Sequence, residues 1–335
     1  MRSAGISRQP RHMRRRARGM TLIELMIALV LGLLVLSAAI GIFLSNRQTY
    51  RATDNLGRLQ ETARVAFELM ARDIREAGGN ACSRGLPTVN VLNSPASQWF
   101  TDWSSPVRGY DNTVAFAGAA FGTGSAKRVN GTDALELKSG TSAGITVVSH
   151  NPASARFQVN TVNHNLDGGD LAIVCDNREA AVFQITNAQP GTNANIVHNT
   201  GAASPGNQTT SLGMPLGTAY SFGANSTIIK LHATAWYIGN NGRGGRSLYQ
   251  LATVNGSGSI SAAAQEVAEG VTDMQLTYLR EGSNTYVDAA SVTDWSMVNA
   301  VRVDLTLVSP ESIGTDGAPI ARHLIHVVTL RNRTE

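Results

Sequence analysis

Several residue patterns in this chain could carry chemistry. Gly140-Thr141-Ser142-Ala143-Gly144 matches Gly-x-Ser-x-Gly, which in hydrolases holds a nucleophilic serine on a strand–turn–helix elbow. Here a second strand-like run, Ile145–Ser149, follows where a helix is needed, so the spacing predicts a hairpin turn. Gly239–Gly245 with Arg243 and Arg246 could cradle a phosphate, but flanking apolar runs predict a hairpin loop. Asp167 and Asp170 around Gly168-Gly169 could bind calcium, though a plain β-turn explains the same residues. His323 and His326 lie three apart on a predicted strand and so point to opposite faces. His150, His164, His198 and His232 are scattered, with surface or satisfied polar roles expected. No Walker loop, Gly-x-Gly-x-x-Gly, His-Glu-x-x-His or Cys-x-x-Cys occurs. The expectation is a non-catalytic protein with no cofactor and no metal.

One acid stands out instead. Glu24 sits at the edge of a run, Leu25 to Leu44, that holds no charged residue. Twenty helical residues cover about 30 Å, the thickness of a bilayer core. An acid at such an edge is costly and usually has a partner. Seven arginines (Arg2, Arg8, Arg11, Arg14, Arg15, Arg16, Arg18) precede the run, so the positive-inside rule keeps residues 1–19 cytoplasmic. Everything beyond Asn46 then lies outside the inner membrane. Without those arginines, the 335-residue chain has 21 basic against 24 acidic residues, so its net charge of +4 belongs to the leader. A nucleic-acid partner is not expected.

Gly19-Met20-Thr21-Leu22-Ile23-Glu24-Leu25, behind a basic leader and ahead of an apolar run, resembles the class III signal of type IV pilins and type II secretion pseudopilins. The resemblance implies cleavage after Gly19, methylation of the Met20 amine, and a subunit-registering ion pair between Glu24 and a neighbouring N-terminus. Met20 stands where Phe is commoner. A secretory signal peptide or a plain signal anchor would account for the apolar run but not for Glu24. Met13 through Gly19 would make a complete short leader, so translation from Met13 is a further expectation.

The elements that position these residues are legible in outline. Leu56, Leu59, Ala63, Ala66, Met70 and Ile74 recur at helical spacing. Arg58, Glu61, Arg64, Glu68, Arg72 and Asp73 fill the other faces, and Gly78-Gly79 form a stop. No proline occurs between Pro10 and Pro87, so one helix is expected over residues 20–77. Strand-like runs follow at 134–138, 145–149, 156–162, 170–175, 181–186, 227–238, 247–254, 274–279, 298–308 and 323–330. Gln189–Gly217 reads as a long surface loop.

The fold class is therefore α+β, a long N-terminal helix on an antiparallel β-rich domain. The expected division is leader 1–19, helix 20–77 with 20–44 spanning the membrane or forming a filament core, and a periplasmic domain over 78–335. Cys82 and Cys175, the only cysteines, fall on the oxidising side of that topology. A disulfide is expected, two separate buried thiols being the alternative.

Asp170–Cys175, Trp236-Tyr237-Ile238, Ser247-Leu248-Tyr249, Glu269–Leu276 and Thr329–Arg333 look, in this order, like the PilW group of minor pilins. That resemblance implies a part in type IV pilus assembly, in a priming or tip complex. Its partners would be other minor pilins, the major pilin, the prepilin peptidase/N-methyltransferase, the inner-membrane assembly platform, and membrane lipid before assembly. A J-type pseudopilin of type II secretion and a pilus-tip adhesin are the alternatives.

Overall fold

An unbroken α-helix, α1, runs from Leu22 to Glu76. The computed structural model describes residues 19–332 except 80, 81, 83, 84, 96, 202, 203, 313, 315 and 316. The leader arginines, Met13 and Arg333 lie outside the described residues. The chain divides into two compact units that meet at Asp54 and Asn55.

In the first unit the Leu-, Ile-, Ala- and Val-rich helix buries nothing. Seventeen large apolar side chains between Met20 and Leu44 are exposed. It is the one described helix long and apolar enough to cross a membrane.

In the second unit, α1 turns one stripe inward: Asn55, Leu59, Ala63, Ala66, Met70, Ala71, Asp73 and Ile74. Spacings of three and four keep these residues on one face. Asp73 corrects the expectation that placed it among the outward charges, because it lies inside this stripe. The helix ends where Gly78 takes φ +73°, with Ala77 N–H donating to the Asp73 carbonyl and Gly79 N–H to the Glu76 carbonyl.

Among the described residues fifteen strands follow: β1 (Thr88–Asn90), β2 (Val107–Tyr110), β3 (Ala134–Asn151), β4 (Arg156–Val159), β5 (Leu171–Cys175), β6 (Ala180–Gln184), β7 (Asn187–Ala188), β8 (Asn195–Val197), β9 (Thr227–Asn240), β10 (Arg246–Gly256), β11 (Ser259–Glu269), β12 (Val271–Arg280), β13 (Tyr286–Val287), β14 (Val298–Val308) and β15 (Ala321–Thr329). Eleven form one sheet, ordered β1-β6-β5-β9-β3-β4-β8-β7, with β2 beside β3 and the β10–β11 ribbon beside β9. The other four form a sheet ordered β13-β12-β14-β15. Every pair is antiparallel except β1 with β6. The architecture is α+β.

Strand alternation sets the core. Val301, Val303, Leu305 and Leu307 of β14 join Met70 and Ile74 of α1, Trp236 of β9 and Met274 of β12 in one buried cluster. Two further clusters lie elsewhere in the larger sheet, one around Ile173, Tyr237 and Tyr249, the other around Phe157, Phe183 and Phe222.

Two expectations need correction. Residues 134–138 and 145–149 are one strand, not two arms of a hairpin. Gly140–Gly144 forms a bulge in β3, where the pairing with β9 shifts between Thr141 and Ile145. Gly144 takes φ +71°, and a Cβ on Gly140 would lie 2.7 Å from Ile229 Cγ2, so the glycines let the strand kink against its neighbour. The stretch 189–217 is not all surface loop: Ile196, His198, Asn207 and Leu212 are buried. Arg128 is fully buried, donating to the carbonyls of Tyr110, Asp111, Val114 and Thr132 and stacking over Phe121 at 4.6 Å. Burial pushes its guanidinium down to about 10.

Candidate functional site

The N-terminal residues singled out for processing are short-range neighbours. Gly19 and Met20 are exposed and precede the first helical residue. Thr21 opens the helix: its carbonyl accepts from Leu25 N–H at 3.1 Å, and its hydroxyl accepts from Glu24 N–H at 3.3 Å. Glu24 reaches back, its Oε2 accepting from Thr21 N–H at 3.4 Å. Together these contacts make a capping box. The Glu24 carboxylate also sits at the positive end of the helix dipole. The Thr-x-x-Glu spacing carried this signal in the sequence, and sequence reasoning missed it. The box leaves Glu24 exposed.

Cys82 and Cys175 are brought together as a disulfide, with Cα atoms 5.8 Å apart. It ties the segment following α1 to the end of β5 in the larger sheet. A second tie runs between α1 and the strands. Asp73 Oδ2 accepts from Trp236 Nε1 at 3.1 Å and from Gln250 Nε2 at 2.7 Å. Trp236 is fully buried, so the carboxylate satisfies an indole donor that has no route to water. Gly78 N–H adds a bond to the Lys138 carbonyl at 2.8 Å.

The remaining candidates are placed as follows. Ser142 lies in the β3 bulge, and its hydroxyl accepts from Gly144 N–H. Residues 241–245 join β9 to β10, as expected. Their Arg243 pairs with Glu266 and, at 2.9 Å, with Glu269, while Arg246 donates to the Thr272 carbonyl. Those arginines hold the ribbon rather than pointing into an open cradle. Asp170 is committed to Lys230 at 2.6 Å, to Asn255 and to Asp167 N–H. Among the described residues no group of three or more His, Cys, Asp or Glu could hold a metal ion.

His323 lies beside Thr306 and Asp304, whereas His326 stacks on Phe67 of α1 at 4.2 Å, so the two do point to opposite faces. His164 is buried and satisfied by the Asn193 carbonyl and Leu166 N–H.

His150 and His198 meet through their Nε2 atoms at 3.2 Å, packed against Phe157. Phe222 N–H donates to His150 Nδ1. His150 therefore carries its proton on Nε2 and donates it to His198. Burial holds the two rings down at about 4 and about 3.

A cleft of about 800 Å³ opens beside β3, lined by Asn90, Asp102, Trp103 and Lys138 among others. Lys138 is buried against Glu136, whose other oxygen accepts from Tyr110 at 2.7 Å. This is a buried, internally satisfied pair.

Comparison with known families gives two matches. Residues 235–322 match the family described as type IV pilus-assembly protein W. Residues 14–40 match the prokaryotic N-terminal methylation motif. The first span runs from the middle of β9 to the start of β15, and the second covers Gly19, Met20 and Glu24. No curated protein and no solved structure gives a significant match.

Proposed function

We propose that this chain, similar to type IV pilus-assembly protein W over residues 235–322 and to the prokaryotic N-terminal methylation motif over residues 14–40, is a PilW-type minor pilin that enters the pilus as a structural, non-catalytic subunit of a priming or tip complex. In this reading the prepilin peptidase removes residues 1–19 by cutting after Gly19 and methylates the new amine on Met20. Residues 20–77 then act as the pilin helix, with 20–44 in lipid before assembly and in the filament core after it. Residues 78–335 form the periplasmic domain. Before assembly the chain is a single-pass inner-membrane protein. Its partners are other minor pilins, the major pilin, the peptidase/methyltransferase and the assembly platform.

The observation that carries the reading is an apolar helix that starts two residues after Met20, holds one acid in its first turn and leaves its first half unburied. Seventeen exposed apolar side chains, each worth roughly 1.5–3 kcal/mol on burial, need lipid or other helices around them. Glu24 then has a second task. When the helix enters a bundle, its carboxylate takes the methylated amine of a neighbour, and a misregistered subunit leaves both charges unpaired in an apolar setting. The disulfide suits an oxidising compartment.

Replacing Gly19 with a bulkier residue tests the reading. In Gly19→Val cells the product should keep its leader, stay in the membrane fraction and be absent from sheared filaments. Normal maturation and filament entry would contradict it. Loss of twitching with intact protein secretion would separate the pilus role from that of a type II pseudopilin.

A further inference from the structure

β15 closes the four-stranded sheet on one side and pairs only with β14. Nine consecutive partners, from Ala300↔Thr329 to Val308↔Ala321, run without a register shift. The far edge of β15 therefore presents a straight row of main-chain N–H and C=O groups with no strand beside it among the described residues. Proteins usually blunt such an edge with proline, a bulge, lysines or a covering element. β15 has no proline, no lysine and no bulge, and seven of its nine residues are exposed.

The side chains strengthen the case. Residues opposite one another in an antiparallel pair share a face. On the face turned away from α1, β12 and β14 present Gln275, Thr277, Arg302, Asp304 and Thr306. Beside Asp304 and Arg302, β15 presents Ile325 and Val327, 48% and 51% exposed. Two β-branched residues at alternate positions on an open edge are what an added strand covers. A helix or a lipid surface would leave the row of amides and carbonyls unsatisfied. Arg322 is the one charged side chain of β15 at neutral pH, and it lies on the opposite face from Ile325 and Val327. β15 carries Arg322, His323 and His326 and no acid, and the nearest carboxylate to His323 is Asp304 of its own sheet at 3.6 Å.

We propose that the free edge of β15 is a docking site for an extended β-segment of a neighbouring pilin subunit, with apolar residues at alternate positions to cover Ile325 and Val327 and a carboxylate to meet Arg322. This rests on the reading of the chain as a pilus subunit. It adds a contact between globular domains to the contact between helices, and it fixes partner choice through main-chain register.

Amide hydrogen exchange on the full chain tests it, comparing protein in detergent micelles with protein in sheared filaments. The peptide spanning 321–329 should exchange at least tenfold more slowly in filaments at about half its amides, because alternate N–H groups face the open edge. The double variant Ile325→Lys, Val327→Lys should lose that protection and reach filaments at a tenth of the wild-type level. Both side chains are solvent-facing, so its thermal midpoint in micelles should match the wild type. Equal exchange in micelles and filaments overturns the proposal while leaving the pilin reading intact. Protection that appears in micelles as this chain is concentrated makes a second copy the occupant, and also overturns it. Failure to find the chain in filaments at all overturns the pilin reading, and the docking site falls with it.

Discussion

Asp73→Leu should loosen α1 from the strands it packs on. The carboxylate is buried in the helix stripe and accepts two hydrogen bonds on one oxygen, from Trp236 at 3.1 Å and Gln250 at 2.7 Å. Leucine fills comparable space but leaves the Trp236 indole donor with no partner in a fully buried site. An orphaned buried donor costs about 1–3 kcal/mol. Gln250 is only half-buried and can turn to water, so its loss adds less. The expected total is about 2–4 kcal/mol, and a domain of this size loses about 2–4 °C of thermal midpoint per kcal/mol.

Thermal unfolding of the full chain in micelles, followed by near-ultraviolet circular dichroism, reads this out. Asp73→Asn keeps an acceptor and should cost less than half as much. The decisive comparison is a double-mutant cycle with Trp236→Phe, which removes the donor and keeps the ring. Asp73→Leu should then cost about 1–2 kcal/mol less than in the wild type. Strict additivity, or a variant as stable as the wild type, would refute the claim that this carboxylate locks helix to sheet.

Glu24→Ala should be cut and methylated normally yet assemble poorly, as judged by N-terminal peptide analysis and by the amount in sheared filaments; full piliation would count against the registering role. Reducing the Cys82–Cys175 bond, or Cys82→Ser with Cys175→Ser, should cost roughly 4 kcal/mol in the chain-entropy model because it opens a 93-residue separation; an unchanged midpoint in reductant would contradict this. The His150–His198 pair should make the fold acid-sensitive. Both rings are held below the unfolded value of about 6.5, so the unfolded chain binds more protons. Stability from the neutral pair is complete above about pH 6.5 and is lost as pH falls towards 4. By pH 5 the fully buried His198 accounts for about 2 kcal/mol, with a smaller share from the partly exposed His150. Asp133, pushed up to about 6 by burial, works in the opposite direction over the same range. His198→Gln should therefore flatten the pH profile of the thermal midpoint, and an unaltered profile would exclude the pair as its source.

What was legible in the sequence was local. The alternation of Val301, Val303, Leu305 and Leu307 gave β14 its correct bounds, and the stripe from Leu59 to Ile74 gave the buried face of α1. Gly19, Met20 and Glu24 stand out in the sequence as candidates because the features that mark them lie within one heptapeptide and the apolar run beside it. What was missed depends on distant partners. Asp73 looks like one more surface charge until Trp236, 163 residues away, is beside it. Nothing near Arg128 in the sequence marks it as buried, and only the fold brings the carbonyls of Tyr110, Asp111, Val114 and Thr132 around it. β11 went unnoticed because Ser259–Glu269 is rich in Ser and Ala, residues with little strand preference. Its pairing with β10, residue by residue, holds it extended. Gly140–Gly144 reads as a turn because glycine marks turns and bulges alike, and only the register with β9 tells them apart.

Mass spectrometry of the mature N-terminal peptide, from membranes and from sheared surface filaments, tests the pilin assignment most directly. A peptide that begins at Met20, carries a methyl group on its amine and occurs in both fractions is the predicted result. An uncut chain, a different cleavage site, or absence from filaments would contradict it and leave a membrane-anchored β-rich domain.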